Sequence, residues 1–326
     1  MNIEMIEAAE ARIGRFVRCT PLMSSPFLDQ IAGRRVFVKP ECLQHTGSFK
    51  YRGAKSAVTA LSGDALKKGV IAFSSGNHAQ GVALAAKEAG STAVIVMPCD
   101  APKLKIDNTR ALGAEVILYD RETQDRDQIG ADLAQARGLT LIKPYDEPEV
   151  IAGQGTTGLE IARQAARLGI ETADVLICCG GGGLTSGIAL ALQARAPAMR
   201  PRPVEPVGFD DVARSLVAGT LKSNALRSGT LCDAIVTPTP GDITFPIMAA
   251  LCGPGLAVTD EQCLQAMALA FERLKIVLEP GGAAALAAAL FQPGEISGDA
   301  VIVVASGGNV DPSVFAMALE CLSKPA

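Results

Sequence analysis

The sequence contains no tryptophan and only two histidines among its 326 residues, and aromatic residues make up 4% of the chain. So few histidines argue against a histidine-rich zinc site. The net charge is −4 and no basic stripe is present, which argues against nucleic acid as a partner. The longest apolar run, residues 281–291, is too short and too rich in alanine and glycine to span a bilayer, so no membrane association is predicted.

Export signals are also lacking. Residues 1–18 have neither the basic start nor the apolar run of a signal peptide. The nine cysteines are irregularly spaced, and Cys178 adjoins Cys179 in a strand-like run, where the two would point to opposite faces. We therefore expect reduced, mostly buried thiols in a cytoplasmic protein.

Apolar runs typical of buried parallel strands alternate with helical patterns along most of the chain. This alternation predicts an α/β fold with two domains, each a mostly parallel twisted sheet flanked by helices. The regular alternation of strands and helices between residues 70 and 144 predicts a small domain, 61–145. It would be inserted into a large domain built from 1–60 and 146–326. The predicted strands are 36–38, 70–73, 93–97, 115–118, 140–142, 175–179 and 301–305. The predicted helices are 54–61, 80–89, 101–112, 127–136 and 157–168, and Gly90, Gly113, Gly138 and Gly169 follow helical runs as C-caps.

The first stretch of chemical interest contains Lys50, at the junction between the strand 36–38 and the helix that follows. The positive end of a helix is a poor place for an ammonium group, and Phe49 could help to desolvate it. Both effects lower a lysine pKa, and a neutral amine is what imine formation requires. The alternative is an ordinary solvated lysine.

Three further stretches follow predicted strands. Ser74-Ser75-Gly76-Asn77-His78 offers small polar groups at a helix start, suited to a carboxylate or to simple capping. Gly180-Gly181-Gly182-Gly183-Leu184 exposes backbone N–H groups that can bind a phosphate monoester. It matches neither a Walker A loop nor a dinucleotide fingerprint. Ser306 presents a hydroxyl in a glycine turn that by itself is unremarkable.

Taken in this order, the four stretches closely resemble the pyridoxal-phosphate enzymes of fold type II (tryptophan synthase β-like). The nearest branch is serine/threonine dehydratase and serine racemase. The resemblance extends from Thr20 to Asp311. It implies pyridoxal 5′-phosphate as cofactor and a small amino acid as substrate, and homodimers are expected in the family.

The resemblance also implies roles for individual residues. Lys50 would form the imine and move the Cα proton, and Ser75 would be the acid on the opposite face in racemases. The cofactor would be held by Phe49, Lys50, Asn77, Gly180, Gly181, Gly182, Gly183, Leu184, Glu279 and Ser306. The substrate carboxylate would be held by Ser75, Asn77 and His78. Glu205, the Phe209 carbonyl and Asp211 would bind a divalent cation, Mg²⁺ or Ca²⁺, although an acidic surface turn would have the same pattern.

The neutral Ser306 hydroxyl at the pyridine nitrogen favours prompt loss of a β-substituent. We therefore predict a lyase that eliminates water from a β-hydroxy amino acid, giving a 2-oxo acid and ammonia. L-threonine or L-serine is expected, with 3-hydroxyaspartate or 3-phenylserine as further possibilities. Amino-acid racemase is the alternative, and a non-catalytic phosphate-ligand sensor is the alternative from another class. Asp132 lies in the region where the racemase has a carboxylate-binding arginine, which sets this chain apart.

Overall fold

The computed structural model describes residues 1–101, 103–120 and 122–323. Pro102, inside the predicted helix 101–112, therefore lies outside the described residues. The strands are β1 Met23–Ser24, β2 Arg35–Pro40, β3 Val70–Phe73, β4 Ala93–Pro98, β5 Glu115–Tyr119, β6 Thr140–Leu141, β7 Ala173–Cys178, β8 Met199–Pro206, β9 Leu256–Val258 and β10 Ala300–Ala305.

The helices alternate with these strands. They are α1 Ile3–Ile13, α2 Pro26–Ala32, α3 Lys50–Ala60, α4 Gly63–Lys68, α5 Asn77–Glu88, α6 Lys103–Ala111, α7 Arg126–Arg137, α8 Pro148–Arg167, α9 Gly183–Arg195, α10 Asp211–Ala218, α11 Thr244–Leu251, α12 Asp260–Leu274, α13 Pro280–Phe291 and α14 Pro312–Glu320.

Two sheets organise the chain. One has six strands in the order β1-β2-β10-β7-β8-β9, and the other has four in the order β5-β4-β3-β6. Every pairing is parallel except that of β1 with β2. The predicted α/β class with two parallel-sheet domains is confirmed. All four strands of the smaller sheet lie within the segment 61–145, and the domain boundaries themselves stay a prediction.

The centre of the larger sheet is wholly apolar, as expected for strands covered on both faces. All six residues of β10 are buried, and Val303 lies opposite Val38 on one side and Leu176 on the other. Helix α13 is alanine-rich and packs within the same core. Small side chains also let α8 and α9 pack closely, since a Cβ on Gly187 would lie 2.6 Å from the Gly155 backbone nitrogen.

Among the elements that differ from the sequence prediction are α8 and β8. Helix α8 begins at Pro148, whereas the sequence predicted a start at 157. The prediction missed the first turns because Gly153, Gly155 and Gly158 lie in the helix, and glycine normally weakens a helix interior. Here they allow close packing instead. Strand β8 was not predicted because it contains Pro201 and Pro203. The backbone nitrogens of these two prolines face the same edge of the strand, because they are two residues apart. β9 pairs only with residues 204–206, so no β9 carbonyl requires a donor from either proline.

The four predicted C-cap glycines all have the positive φ that such caps adopt, between 66° and 98°. All nine cysteines fall among the described residues and are free thiols. In the part of the chain that the structure describes, no helix is long and apolar enough to cross a membrane.

Candidate active site

A cavity of about 220 Å³ lies between the two sheets, where the loops after β3 and β7 face the start of α3. Because the carboxyl ends of parallel strands share one edge, residues far apart in the sequence meet there. The cavity brings together most of the predicted site, namely Phe49, Lys50, Ser75, Asn77, His78, Gly180, Gly181, Gly182, Gly183, Leu184 and Glu279.

Lys50 is the first residue of α3, at the predicted strand-to-helix junction, and the helix begins earlier than the predicted residue 54. Its Nζ donates a hydrogen bond to the Pro144 carbonyl at 2.7 Å and lies 5.1 Å from the centre of the Phe49 ring. Burial lowers the pKa of Lys50 from 10.5 to about 8, and the negative charge of Glu279 partly opposes this effect. The expected lowering is therefore confirmed, with burial as its main cause. A substantial fraction of this amine is neutral near physiological pH.

The loop after β3 leads into α5, whose first residue is Asn77. The first amides of a helix have no carbonyl partner within it, so this end is suited to an anion. His78 is buried, and its Nε2 lies 2.9 Å from the Ile142 carbonyl, which can only accept, so Nε2 carries the proton. Burial and the charge of Lys50 lower the pKa of His78 to about 3. His78 is therefore a neutral residue here and adds no positive charge to a carboxylate site.

Glu279 is buried directly before α13, and its Oε1 accepts a hydrogen bond from Asn77 Nδ2 at 2.6 Å. Burial raises the pKa of Glu279 to about 7, and the negative charge of Asp233 adds to the rise. The bond from Asn77 and the charges of Lys105 and Lys50 act in the opposite direction. Glu279 can therefore gain or lose a proton near neutral pH.

The glycine loop, residues 180–183, is shaped as an anion cradle. Gly182 has φ 90° and caps the N-terminus of α9, a 13-residue helix. The ring of Tyr145 packs so close to the loop that a Cβ on Gly181 would overlap it. Thr185, in the first turn of α9, is fully buried, and its Oγ1 has no hydrogen-bond partner among the described residues. These features fit a phosphate monoester bound by backbone amides.

Ser306 directly follows β10 and is not among the residues that line the cavity. Its carbonyl accepts a hydrogen bond from the Phe49 amide at 3.1 Å, and its own amide donates to the Gly282 carbonyl at 3.3 Å. Cys178, which lines the cavity, is its neighbour on β7. Backbone bonds thus hold Ser306 beside Phe49 and Gly282, and its side chain interacts with the Cys178 thiol.

Glu205 and Asp211 lie outside the residues that line the cavity, at the end of β8 and the start of α10. Both are fully buried. The Glu205 carboxylate accepts from the amides of Val212 at 3.0 Å and Ala213 at 2.8 Å. Asp211 Oδ2 is buried with no hydrogen-bond partner among the described residues. Burial and the charge of Asp211 raise the pKa of Glu205 well above 4.5. In the described chain, no three His, Cys, Asp or Glu side chains converge to hold a metal.

The sequence reasoning missed several residues around the cavity. Lys105, Tyr145 and Asp233 line it, and Arg126 lines a neighbouring groove that shares Tyr145. None of these residues belongs to a glycine-bearing stretch, so no local pattern identified them. Asp132 is exposed on α7, where it accepts a hydrogen bond from Gln128, and Arg126 is the first residue of the same helix.

The glycine cradle, the half-buried lysine and the polar helix start define a site for a phosphate-bearing aldehyde cofactor. Residues 13–307 match the family described as pyridoxal-phosphate dependent enzyme, and the chain belongs to that family.

Relatives and solved structures support this assignment. The chain is 42% identical over 317 residues to an L-threo-3-hydroxyaspartate ammonia-lyase of Pseudomonas sp, covering 97% of this chain and 98% of that one. It is 38% identical to a serine racemase of Oryza sativa subsp. indica, covering 96% and 92%. The crystal structure of a threonine deaminase from T.th. superposes with a TM-score of 0.90 at 42% identity, covering 95% and 99%.

Proposed function

We propose that this protein is a pyridoxal-phosphate-dependent lyase that removes water from a β-hydroxy-α-amino acid and releases a 2-oxo acid and ammonia. The observation that carries the proposal is Lys50, an amine with a lowered pKa, in one cavity with a phosphate cradle and an anion-binding helix start. Relatives named ammonia-lyases for hydroxyaspartate and for threonine support it.

The residues present fit the cofactor. The glycine loop would hold its phosphate, Phe49 would pack on its ring, and Ser306 would face its ring nitrogen. Bound there, pyridoxal phosphate supplies electron withdrawal from the amino acid Cα. Lys50, close to half neutral at pH 8, is then the base that takes the Cα proton. Ser75 and the first amides of α5 would orient the substrate carboxylate.

The proposal predicts a defined set of products. Protein saturated with cofactor should release equal amounts of ammonia and 2-oxo acid from β-hydroxy amino acids such as L-threonine and L-serine. Alanine, which has no leaving group on Cβ, should release neither. Absence of 2-oxo acid from every β-hydroxy amino acid in such a panel would exclude the lyase.

We further propose that the preferred substrate carries a second carboxylate, as L-threo-3-hydroxyaspartate does. Lys105 lines the cavity and is half-buried, and its ammonium group has no hydrogen-bond or ion-pair partner among the described residues. Its neighbour Lys103 instead pairs with Asp107 on the exposed face of α6. A half-buried ammonium in the cleft is suited to bind a side-chain carboxylate.

The variant Lys105→Met tests this preference, with Lys103→Met as the matched control on the same helix. The specificity constant for 3-hydroxyaspartate should fall about 10- to 100-fold, the effect of losing one charge-assisted hydrogen bond. The constant for L-threonine should change little. An equal loss on both substrates would contradict the proposal, and so would a selective loss only in Arg126→Gln.

Racemisation is a second candidate, favoured by the position of Ser75 in the cavity and by relatives named serine racemase. A hydroxyl opposite Lys50 could return a proton to the other face of Cα. Chiral chromatography of L-serine incubations would detect D-serine. Ser75→Ala should abolish the D-isomer, whereas elimination should continue with weaker substrate binding, because Ser75 also contacts the carboxylate. D-serine formation that survives this change would count against the role.

We propose a divalent cation at Glu205, the Phe209 carbonyl and Asp211. The buried Asp211 Oδ2 without a partner supports it, because a desolvated carboxylate oxygen is costly unless something binds it. Two carboxylates and a carbonyl are ligands that suit Mg²⁺ or Ca²⁺. Exhaustive chelation should lower the melting temperature, and Asp211→Asn should make chelation ineffective. If chelation changes neither melting temperature nor activity, the cation is ruled out.

A homodimer is also proposed. Apolar side chains are exposed on one side of the large domain, on α2, on α12 and just after it, and on α14, namely Phe27, Ile31, Phe271, Val277 and Met317. An apolar surface of this kind is typical of a subunit contact. Light scattering should give twice the chain mass of 33.7 kDa, and Phe27→Glu should shift it toward the monomer. A monomeric wild type would contradict the proposal.

The free thiols are consistent with a reducing compartment such as the cytoplasm.

A further inference from the structure

Asn309 reaches from the turn after β10 to the edge of the cavity. Its Nδ2 donates two hydrogen bonds, to the Thr46 carbonyl at 2.8 Å and to Asn77 Oδ1 at 2.7 Å. An amide nitrogen carries two hydrogens, so these two bonds use all of them. Asn309 therefore connects the loop before Lys50 with the start of α5.

The backbone around Thr46 is adapted to this contact. Thr46 has φ 59°, a left-handed conformation that residues with a Cβ rarely adopt. Gly47 has φ 74°, and a Cβ there would lie 2.6 Å from Asn309 Oδ1. The Gly308 amide donates to the Gly47 carbonyl at 2.9 Å, which holds the two turns together. The unusual backbone of Thr46 and Gly47 thus makes room for the Asn309 side chain and holds it in one position.

The same contacts determine which way the Asn77 amide faces. The Thr46 carbonyl can only accept, so the Asn309 atom beside it must be the nitrogen. That nitrogen requires an acceptor on Asn77, which must be Oδ1. The nitrogen of Asn77 therefore lies on the other side, where one N–H donates to Glu279. The second N–H has no acceptor among the described residues and belongs to a side chain that lines the cavity.

We propose that Asn309 is a positioning residue that fixes Asn77 as a hydrogen-bond donor toward the group bound at Lys50. The inference rests on the proposed function for the identity of that group, a ring oxygen next to the imine carbon. A donor at this position stabilises the oxygen as an anion, and a flipped amide, with Oδ1 in its place, would destabilise it. The orientation of Asn77 itself depends only on the protein.

Asn309→Asp tests the orientation because a carboxylate cannot donate to Thr46 or to Asn77 Oδ1. Asn77 should then turn its nitrogen toward residue 309 and its oxygen toward Glu279. The hydrogen bond that lowers the pKa of Glu279 would be lost. Carbon-13 NMR of the Glu279 carboxyl in cofactor-free protein should show a pKa higher than that of wild type. Lys50, Lys105 and Asp233, which also act on Glu279, are unchanged in this variant. The new carboxylate at position 309 would itself raise the Glu279 pKa, so Asn309→Ala, which adds no charge, is the decisive variant and should also show a higher pKa than wild type.

A second readout uses protein saturated with pyridoxal phosphate. The pH midpoint of its visible absorption band should rise by about one unit in Asn309→Asp and by less in Asn309→Ala. The exposed Asn108→Asp on α6 is the control and should leave the midpoint unchanged. A residue that merely supports the fold would lower the melting temperature without moving either midpoint.

The outcomes separate the two claims. An unchanged Glu279 pKa in folded Asn309→Ala would overturn the positioning role. A shifted Glu279 pKa with an unchanged absorption midpoint would overturn the link to the ring oxygen. If wild-type protein gives no visible band with the cofactor, the proposed function fails, and the Glu279 titration still decides the orientation of Asn77.

Discussion

The protonation state of Lys50 should determine how fast the protein takes up its cofactor. With a pKa of about 8, about a quarter of the Lys50 side chains are neutral at pH 7.5, whereas at the ordinary 10.5 the fraction is about one in a thousand. Cofactor capture by the neutral amine should therefore be about two hundredfold faster than at an exposed lysine with the same intrinsic reactivity. The difference comes from burial, which disfavours the ammonium form.

Stopped-flow absorbance can measure this rate. Cofactor-free protein is mixed with excess pyridoxal phosphate from pH 6 to 11, and the rate constant should rise with a midpoint near 8. Glu279→Gln removes the negative charge that raises the Lys50 pKa, so its midpoint should be lower than that of wild type. Lys50→Ala should lack the phase. A wild-type midpoint above 10, or an upward shift in Glu279→Gln, would refute the account of Lys50.

Two further predictions concern the protein around the site. Gly181→Ala should weaken cofactor binding at least about tenfold, because its Cβ overlaps the Tyr145 ring, whereas Gly63→Ala, whose Cβ meets nothing within 4 Å, should bind normally in the same fluorescence titration. Arg52→Met should reduce the free energy of unfolding by about 3–5 kcal/mol, because it leaves the Glu41 and Glu160 carboxylates buried without this partner. A loss below about 1 kcal/mol in urea unfolding would show that those carboxylates are not held by Arg52.

The sequence was sufficient to predict the fold class because several strands of both sheets are short apolar runs, and β3, β7 and β10 lead into glycine-bearing turns. β7 and β10 are buried on both faces, so their composition alone indicates them. The same rule failed for β8, where Pro201 and Pro203 are tolerated because β9 pairs only with residues 204–206. Local composition carries no information about which neighbouring strand is present.

The candidate site could be predicted where function depends on the backbone. The glycine run that includes Gly182 is visible in the sequence because glycine is unfavourable directly after a buried strand unless the backbone needs a positive φ. A lysine at a helix start is visible because positive charge is disfavoured there. Lys105, Tyr145 and Asn309 are ordinary residues in their own segments. Only the tertiary fold brings Lys105 and Tyr145 to the cavity and Asn309 into contact with Asn77. The charge state of His78 could not be predicted from the sequence either, because it depends on burial beside Lys50 and on the Ile142 carbonyl.

Lys50 and its cavity are proposed to carry out elimination on a β-hydroxy amino acid. The most direct measurement compares wild-type protein and Lys50→Ala, both incubated with excess cofactor, for ammonia and 2-oxo acid formed from L-threo-3-hydroxyaspartate, L-threonine and L-serine. The account predicts equimolar products from at least one of them with wild type, and none with Lys50→Ala. Wild-type protein that binds the cofactor and forms neither product, or Lys50→Ala that forms both at the wild-type rate, would contradict it.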